Sequence, residues 1–396
     1  MVEEIRELRR RRATVVPCSS RRVEPSTLPP DLRPLASQTL FLQPMRLKTL
    51  VGALVLCFGS FSAISGLVGE LLLTSKESPM RRVKALAHTF LGACLAFLLR
   101  DCEIEHIHVH HGYFSAWIAL VAARILRIPF SMTLHGSDLL LHASHMQAKL
   151  RECAFCITIS EFHRHHILAH YPMVDPAKLL VLRLGVEVPE INSPPQHHSH
   201  CPLLLAVGRL HSVKDHAFLL RACSVLRARG MRFRCLIVGE GPERRKLERL
   251  IRELKIAEIV DLVGHLPRED IGRYYELADL VVLTSRSEGI PLALMEAMAR
   301  SKLVLAPAIS GIPELVIDGR TGFLYKPGSV GDFVRQVEQI CSSLDILQTI
   351  RRSAREHVQI HFEQSRNLGV STNLLLQKIA SQARSCDDEN LILQQI

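Results

Sequence analysis

Ser285-Arg286-Ser287-Glu288-Gly289-Ile290-Pro291-Leu292-Ala293-Leu294-Met295-Glu296-Ala297-Met298-Ala299 follows the apolar run from Asp279 to Thr284. That run is short and unbroken, as a strand buried on both faces of a parallel sheet must be. Pro291 fits the first helical position, where its missing N–H is one that the helix would leave unpaired anyway. The strand therefore delivers Glu288 to a strand-to-helix loop, and Glu296 falls about a turn and a half into the helix. The two are too far apart to pair as an i,i+4 couple but near enough to reach one ligand. Between them, Gly289, Ile290, Pro291 and Leu292 form the tip of the helix, whose free N–H groups favour an anion. A carboxylate on either side can accept hydrogen bonds from hydroxyl groups. This pattern suits a ligand with a diphosphate in its middle and hydroxylated rings at its ends.

Working outward, Leu203–Val207, Arg234–Val238, Ile259–Val263, Asp279–Thr284 and Leu303–Ala306 are candidate parallel strands separated by helical stretches. The first ends in Gly208-Arg209-Leu210-His211-Ser212-Val213-Lys214. A guanidinium and an ammonium on one loop can neutralise a diphosphate without a metal ion, Arg as a planar fork and Lys as a mobile point charge. The second ends in Gly239-Glu240-Gly241-Pro242 and the third in Val263-Gly264-His265-Leu266. Ser-Pro-Pro and a histidine cluster mark residues 191–202 as a linker. Helices from Asp332 to Gln377 close the second half, and the polar tail from Ser381 to Ile396 reads as disordered.

Upstream, Glu3–Arg12 reads as the end of an amphipathic helix and Ala13–Ser19 as a strand, with Arg9 to Arg12 a solvated helix end. Residues 50–73 approach the length of a membrane span, but they hold Gly52, Gly59, Gly66, Gly69 and Glu70. Helices that pack in the domain or lie on a membrane face are the expectation there. Ile104–Val109 is a strand leading into His106-x-His108-x-His110-His111-Gly112. Alternate histidines share one face of a strand, yet no neighbouring ligand is guaranteed, so no metal is expected. Pro129 to Asp138 reads as a strand that breaks at Gly136, which places His135 at a carboxyl strand end, where ligands of open α/β sheets collect. Asp138 reads as a helix N-cap. Cys153-Ala154-Phe155-Cys156 has no second pair at zinc spacing, so buried thiols are expected.

The chain of 396 residues is long enough for two domains, and 47% hydrophobic and 22% charged residues are ordinary for an α/β protein. A net charge of +10 implies an anionic partner: a phosphorylated substrate, an acidic lipid surface or nucleic acid. Aromatic content of 5%, with no strand interleaving basic and stacking residues, argues against single-stranded nucleic-acid binding. The 11 scattered cysteines fit reduced thiols in a cytoplasmic protein, and the charged N-terminus is not a cleavable signal peptide.

Ser-Glu-Gly-Ile-Pro-Leu-Ala-Leu-Met-Glu-Ala-Met-Ala resembles the Glu-x7-Glu signature of family-four retaining glycosyltransferases, and the resemblance spans nearly the whole chain. Gly208-Arg209-Leu210-x-x-x-Lys214, Thr133-x-His135-Gly136-x-Asp138 and the His-x-His-x-His run, the last similar to the exopolysaccharide branch, carry it further. It implies the GT-B fold: an N-terminal, acceptor-side Rossmann-like domain (1–190), a linker (191–202) and a C-terminal, nucleotide-sugar-binding domain (203–380), with parallel sheets facing one another. The opening helix resembles the family's first helix, so a leading strand and Gly loop are expected to be missing. The resemblance further implies metal-independent, retaining transfer of a hexosyl unit from a UDP- or GDP-sugar to a glycan or lipid-linked acceptor. No Asp-x-Asp motif is present. Arg209 and Lys214 would hold the diphosphate, Glu288 and His135 the sugar, Glu296 the ribose, and Gly264 and Leu266 would lie near the base. Cell-surface polysaccharide or glycolipid synthesis at the inner face of the cytoplasmic membrane is the implied setting. The missing start leaves a non-catalytic nucleotide-sugar-binding protein as the alternative.

Overall fold

The computed structural model describes residues 1–74, 77–191, 201–343 and 347–393, so most of the expected linker lies outside the described residues. Two compact units form. One comprises Met1–Ile159, Arg164–Leu182 and Leu368–Ile396; the other comprises Ser160–His163 and Arg183–Asn367. Residues 183–190, expected in the N-terminal domain, belong to the second unit. There the Val186 N–H donates to the Phe362 carbonyl at 2.9 Å, and the Val186 carbonyl accepts from the Gln364 N–H at 3.1 Å. The last helix, Gln364–Leu393, returns to the first unit, where Leu375 packs with Phe155 and Ile157. It continues through Leu393. After Gly369 no Gly or Pro interrupts a run rich in Leu, Gln, Ala and Ser.

In the first unit, β1 (Cys18–Ser19) and β2 (Leu40–Phe41) pair in parallel as a short ribbon, so the strand expected over Ala13–Ser19 shrinks to its last two residues. β3 (Ile107–His110), β4 (Phe130–Leu134), β5 (Cys156–Thr158) and β6 (Leu179–Val181) form a parallel sheet in sequence order. All five residues of β4 are buried, which explains its unbroken apolar and small-polar run. The β3–β4 register sets His108 opposite Ser131 and His110 opposite Thr133. Helices Pro79–Leu99 and Phe114–Leu126 cross tightly on this sheet. A Cβ on Gly92 would lie 2.5 Å from Val121 Cβ, so only glycine permits that approach. The buried Trp117 indole donates to Thr89 Oγ1 at 2.9 Å.

The apolar stretch 50–73 is not one straight span: helices Leu47–Gly59 and Phe61–Leu73 meet at 84°. Pro79–Leu99, at 21 residues, is long and apolar enough to cross a membrane by length and composition, but 44% of its most apolar window is buried within the protein.

The second unit is built on β7 (Leu203–Val207), β8 (Arg234–Val238), β9 (Val260–Gly264), β10 (Leu280–Val282), β11 (Leu303–Pro307) and β12 (Phe323–Tyr325). All are parallel, in the order β12-β11-β10-β7-β8-β9. The chain runs β7, β8, β9 to one side and β10, β11, β12 to the other, so the order reverses between β7 and β10. Alternate residues of β7 feed opposite cores: Leu204 and Ala206 pack with Leu219, Leu220 and Phe333, and Leu205 packs with Leu294, Met298 and Val304. A doubly wound sheet of this order binds ligands at the carboxyl ends of its strands where the winding reverses.

Candidate active site

The loops after β7 and β10 meet at that reversal. The Arg286 N–H donates to the Val213 carbonyl at 2.8 Å, Thr284 Oγ1 to the Lys214 carbonyl at 3.0 Å, and Arg286 Nε to Asp215 Oδ2 at 2.7 Å. Three bonds between two loops leave little freedom. They bring Lys214 Nζ to 2.5 Å from Glu288 Oε1, and Ser285 Oγ donates to the same oxygen at 2.5 Å. The Lys214 and Glu288 side chains are 19% and 11% exposed, so the pair is screened from bulk water yet reachable.

The turn after β8 rests on this loop. Gly239 has φ +148°, and a Cβ there would lie 2.0 Å from the Gly208 carbonyl oxygen, so any side chain would force the two turns apart. The Leu210 N–H donates to the Glu240 carbonyl at 2.9 Å, and His216 Nε2 donates to the Arg209 carbonyl at 3.3 Å, which fixes the backbone that carries Arg209. Burial lowers the pKa of the His216 imidazole, in keeping with a neutral donor. Gly264, at the end of β9, accepts the Gly239 N–H at 2.8 Å, and Leu266 packs half-buried against the apolar cluster beyond.

The helix opened by the quoted stretch is Leu292–Ala299. Pro291 is therefore its N-cap with extended backbone (φ −76°, ψ 120°), one place earlier than expected. The reason is local: Ile290 and Pro291 are buried, and the first turn begins only after the chain has left the sheet. Its first N–H groups, beside Gly289 and Ile290, have no acceptor within the helix. One face further along, Tyr275 Oη donates to Glu296 Oε2 at 2.9 Å, and the Arg300 guanidinium lies 5.4 Å from the Tyr275 ring centre while donating to the Glu296 carbonyl at 3.1 Å. Burial and the Glu296 charge push the Tyr275 hydroxyl well above the usual phenol range, so it stays a donor.

Sequence reasoning missed Ser285, Tyr275 and the Asp215–Arg286 pair. Ser285 was visible three residues before Glu288. Tyr275 was not, because it reaches Glu296 from another helix.

His135 belongs to the first unit, at the end of β4. Its Nε2 lies 3.0 Å from His110 Nδ1, and His110 Nε2 lies 3.1 Å from Glu4 Oε2. His108 Nδ1 meets Ser131 Oγ at 2.7 Å and its Nε2 meets Thr133 Oγ1 at 3.0 Å. Burial drives the His135 and His108 imidazoles down to about 3, which keeps both neutral at ordinary pH. Burial pushes the Glu4 carboxyl up, but its His110 hydrogen bond and the nearby charges of His110, His108 and the amino terminus outweigh this and hold it at about 2.

Asp138, expected as an N-cap, instead clamps the loop that precedes its helix. Its carboxylate accepts the N–H groups of Gly112 at 2.8 Å, Gly136 at 2.8 Å and His135 at 3.0 Å. The helix is one turn long, Ser137–Leu140, and Asp138 lies within it rather than before it. Burial raises the carboxyl, but hydrogen bonds from His111 and from the Gly112 and His135 N–H groups hold it at about 2.

The fold and the loop geometry define a GT-B protein. A family model described as "Glycosyltransferase Family 4" matches residues 72–189, and one described as "Glycosyl transferases group 1" continues over 189–357. The chain belongs to this glycosyltransferase family. It is 30% identical over 271 residues to the amylovoran biosynthesis glycosyltransferase AmsK of Erwinia amylovora, covering 65% of this chain and 66% of the relative. It is 32% identical over 195 residues to the putative colanic acid biosynthesis glycosyltransferase WcaL of Escherichia coli, covering 47% of this chain and 48% of the relative. The chain thus spans about half to two thirds of the length of these relatives. Among solved structures, a glycosyltransferase from Rickettsia africae superposes with a TM-score of 0.62 at 22% identity, covering 78% of this chain and 84% of that one. HepE of Anabaena, in complex with UDP and glucose, gives a TM-score of 0.62 at 21% identity, covering 72% and 81%.

Proposed function

We propose that this chain transfers a glycosyl unit from a nucleotide-diphosphate sugar to an acceptor hydroxyl, with retention at the anomeric carbon. The observation that carries the reading is the Lys214–Glu288–Ser285 cluster at the reversal of the strand order, beside a helix N-terminus. An arriving diphosphate offers Lys214 a second, doubly charged partner, and Arg209 on the same loop a forked one. Charge grows on the diphosphate as the glycosidic bond breaks, so these cations and the helix tip act most strongly in the transition state. They stand where a metal ion would otherwise serve. Glu288, released from Lys214, can accept sugar hydroxyls and offset positive charge at the anomeric carbon. Glu296, oriented by Tyr275, suits the ribose diol. By likeness to AmsK and WcaL, named for amylovoran and colanic acid biosynthesis, the acceptor is a glycan or its lipid-linked precursor, and the donor a UDP- or GDP-sugar.

The test is turnover of the purified protein against a panel of UDP- and GDP-sugars with candidate acceptors. Glu288→Gln should lower kcat at least about tenfold, the loss of one transition-state interaction of roughly 1.4 kcal/mol, with helical content unchanged. Donor binding without turnover in the unaltered protein would instead favour the non-catalytic alternative.

We also infer that the first unit rests on the inner face of an anionic membrane. Phe58 (82% exposed) and Phe61 (59%) flank the bend at Ser60, and Leu73 (84%) and Met80 (66%) stand at the end of the helix Phe61–Leu73 and the start of Pro79–Leu99. Arg46, Lys48, Arg81 and Lys84, all exposed, flank them. Apolar side chains with a basic rim match an acidic headgroup layer. In vesicle sedimentation, Phe58→Glu/Phe61→Glu should lose binding to phosphatidylglycerol vesicles, each Phe anchor contributing about 1.5–3 kcal/mol. Equal binding by both proteins, or none by either at low salt, would refute the placement.

A further inference from the structure

The histidine run of β3 has a partner that the sequence could not supply. Glu4, on the helix Val2–Arg10, sets its carboxylate 3.1 Å from His110 Nε2 and 4.0 Å from His108 Nε2. The three donor atoms all lie within 4.8 Å of one another, and each side chain is partly accessible. We propose that Glu4, His108 and His110 bind one divalent zinc ion.

Three points of geometry support a built site. A tetrahedral zinc at about 2.0–2.1 Å from nitrogen and oxygen sets its donors roughly 3.3 Å apart. The Glu4–His110 spacing already matches this, and the other pairs, all within 4.8 Å, must close by up to about 1.5 Å, within the reach of side-chain torsions. Second, the far nitrogen of each imidazole is held: His108 Nδ1 by Ser131 Oγ at 2.7 Å and His110 Nδ1 by His135 Nε2 at 3.0 Å, while His108 Nε2 would exchange its present partner, Thr133 Oγ1 at 3.0 Å, for the ion. Ligating histidines are oriented in this way, because the second hydrogen bond fixes both tautomer and ring plane. Third, one carboxylate and two imidazoles with no thiolate form a borderline donor set that suits zinc over calcium or magnesium. The fourth position falls to water. The ion would fasten the opening helix to the end of β3, one residue pair away from His135, and it takes no part in the diphosphate chemistry of the second unit.

The competing explanation is a Glu4–His110 hydrogen bond with no ion, and the experiment separates the two. His197, His198 and His200 form another histidine cluster in the sequence, so the protein carries His197→Ala, His198→Ala and His200→Ala as a common background. After dialysis against a chelator, it is titrated with Co2+ and then with Zn2+. The proposal expects one equivalent of Co2+ with the visible absorption of a four-coordinate ion, its displacement by Zn2+, and a zinc-dependent rise in Tm. Glu4→Gln, which keeps a hydrogen bond to His110, and His110→Gln should each weaken binding at least about tenfold, with circular dichroism unchanged. Absence of a bound equivalent at tens of micromolar metal, or unaltered affinity in folded Glu4→Gln and His110→Gln, overturns it.

Discussion

Lys214→Ala is expected to lower kcat by about 10²–10³-fold, the range found when one donor aimed at developing negative charge is removed. The side chain is the cation that the fold brings to the strand-order reversal, and its present partner is Glu288 at 2.5 Å. Losing it removes the ammonium when charge on the departing diphosphate is greatest, so kcat should fall more than KM rises. The protein should remain folded. Glu288 keeps the Ser285 hydroxyl as a donor, and the two loops stay tied through Arg286 N–H and Thr284 Oγ1, which bond the backbone of residues 213 and 214 rather than the lysine side chain. Steady-state kinetics with donor in excess, beside a thermal melt, decide the matter. Turnover within threefold of the unaltered protein would place the leaving-group chemistry elsewhere.

Asp138→Ala should destabilise the first unit by about 3 kcal/mol, since each buried donor left without an acceptor costs roughly 1–3 kcal/mol and such costs are not fully additive. The carboxylate is wholly buried and accepts the N–H groups of Gly112, His135 and Gly136, so it joins the ends of β3 and β4. Lys149, buried with its ammonium on the Gly112 and Ser144 carbonyls, would lose a nearby negative charge as well. Its pKa is already pushed down to about 7 by burial against the pull of Asp138, so the variant should lose the proton at lower pH still. Urea unfolding at pH 7 measures the effect. A midpoint shift equivalent to less than about 0.5 kcal/mol, the scatter of ordinary surface substitutions, would mean the clamp is dispensable.

Much of the second unit was legible because its strands are apolar runs closed by glycine or polar loops. Leu203–Val207 and Arg234–Val238 coincide with β7 and β8, and β9, β10 and β11 differ from expectation only at their ends. β12, three residues long and half-buried, carries too weak a pattern to be read. Lys214 and Glu288 each read as lying just after a strand, the family resemblance implied that they share one ligand, and the structure brings them into contact. What the sequence could not convey were contacts between elements remote along the chain. Tyr275 reaches Glu296 across two helices, and Glu4 reaches His110 across more than a hundred residues. Periodicity reports which face a residue occupies, and nothing in it names the neighbour opposite. That is why Asp138 was read as a local cap when its partners include Gly112.

The placement of the 30-residue last helix has a consequence for how the molecule is made. Phe155 and Ile157 precede the second unit in the chain, but Leu375, which covers them, follows it. The opening half would thus wait through the synthesis of the entire second unit with an apolar face uncovered, the condition under which a nascent chain is most exposed to chaperones and to aggregation.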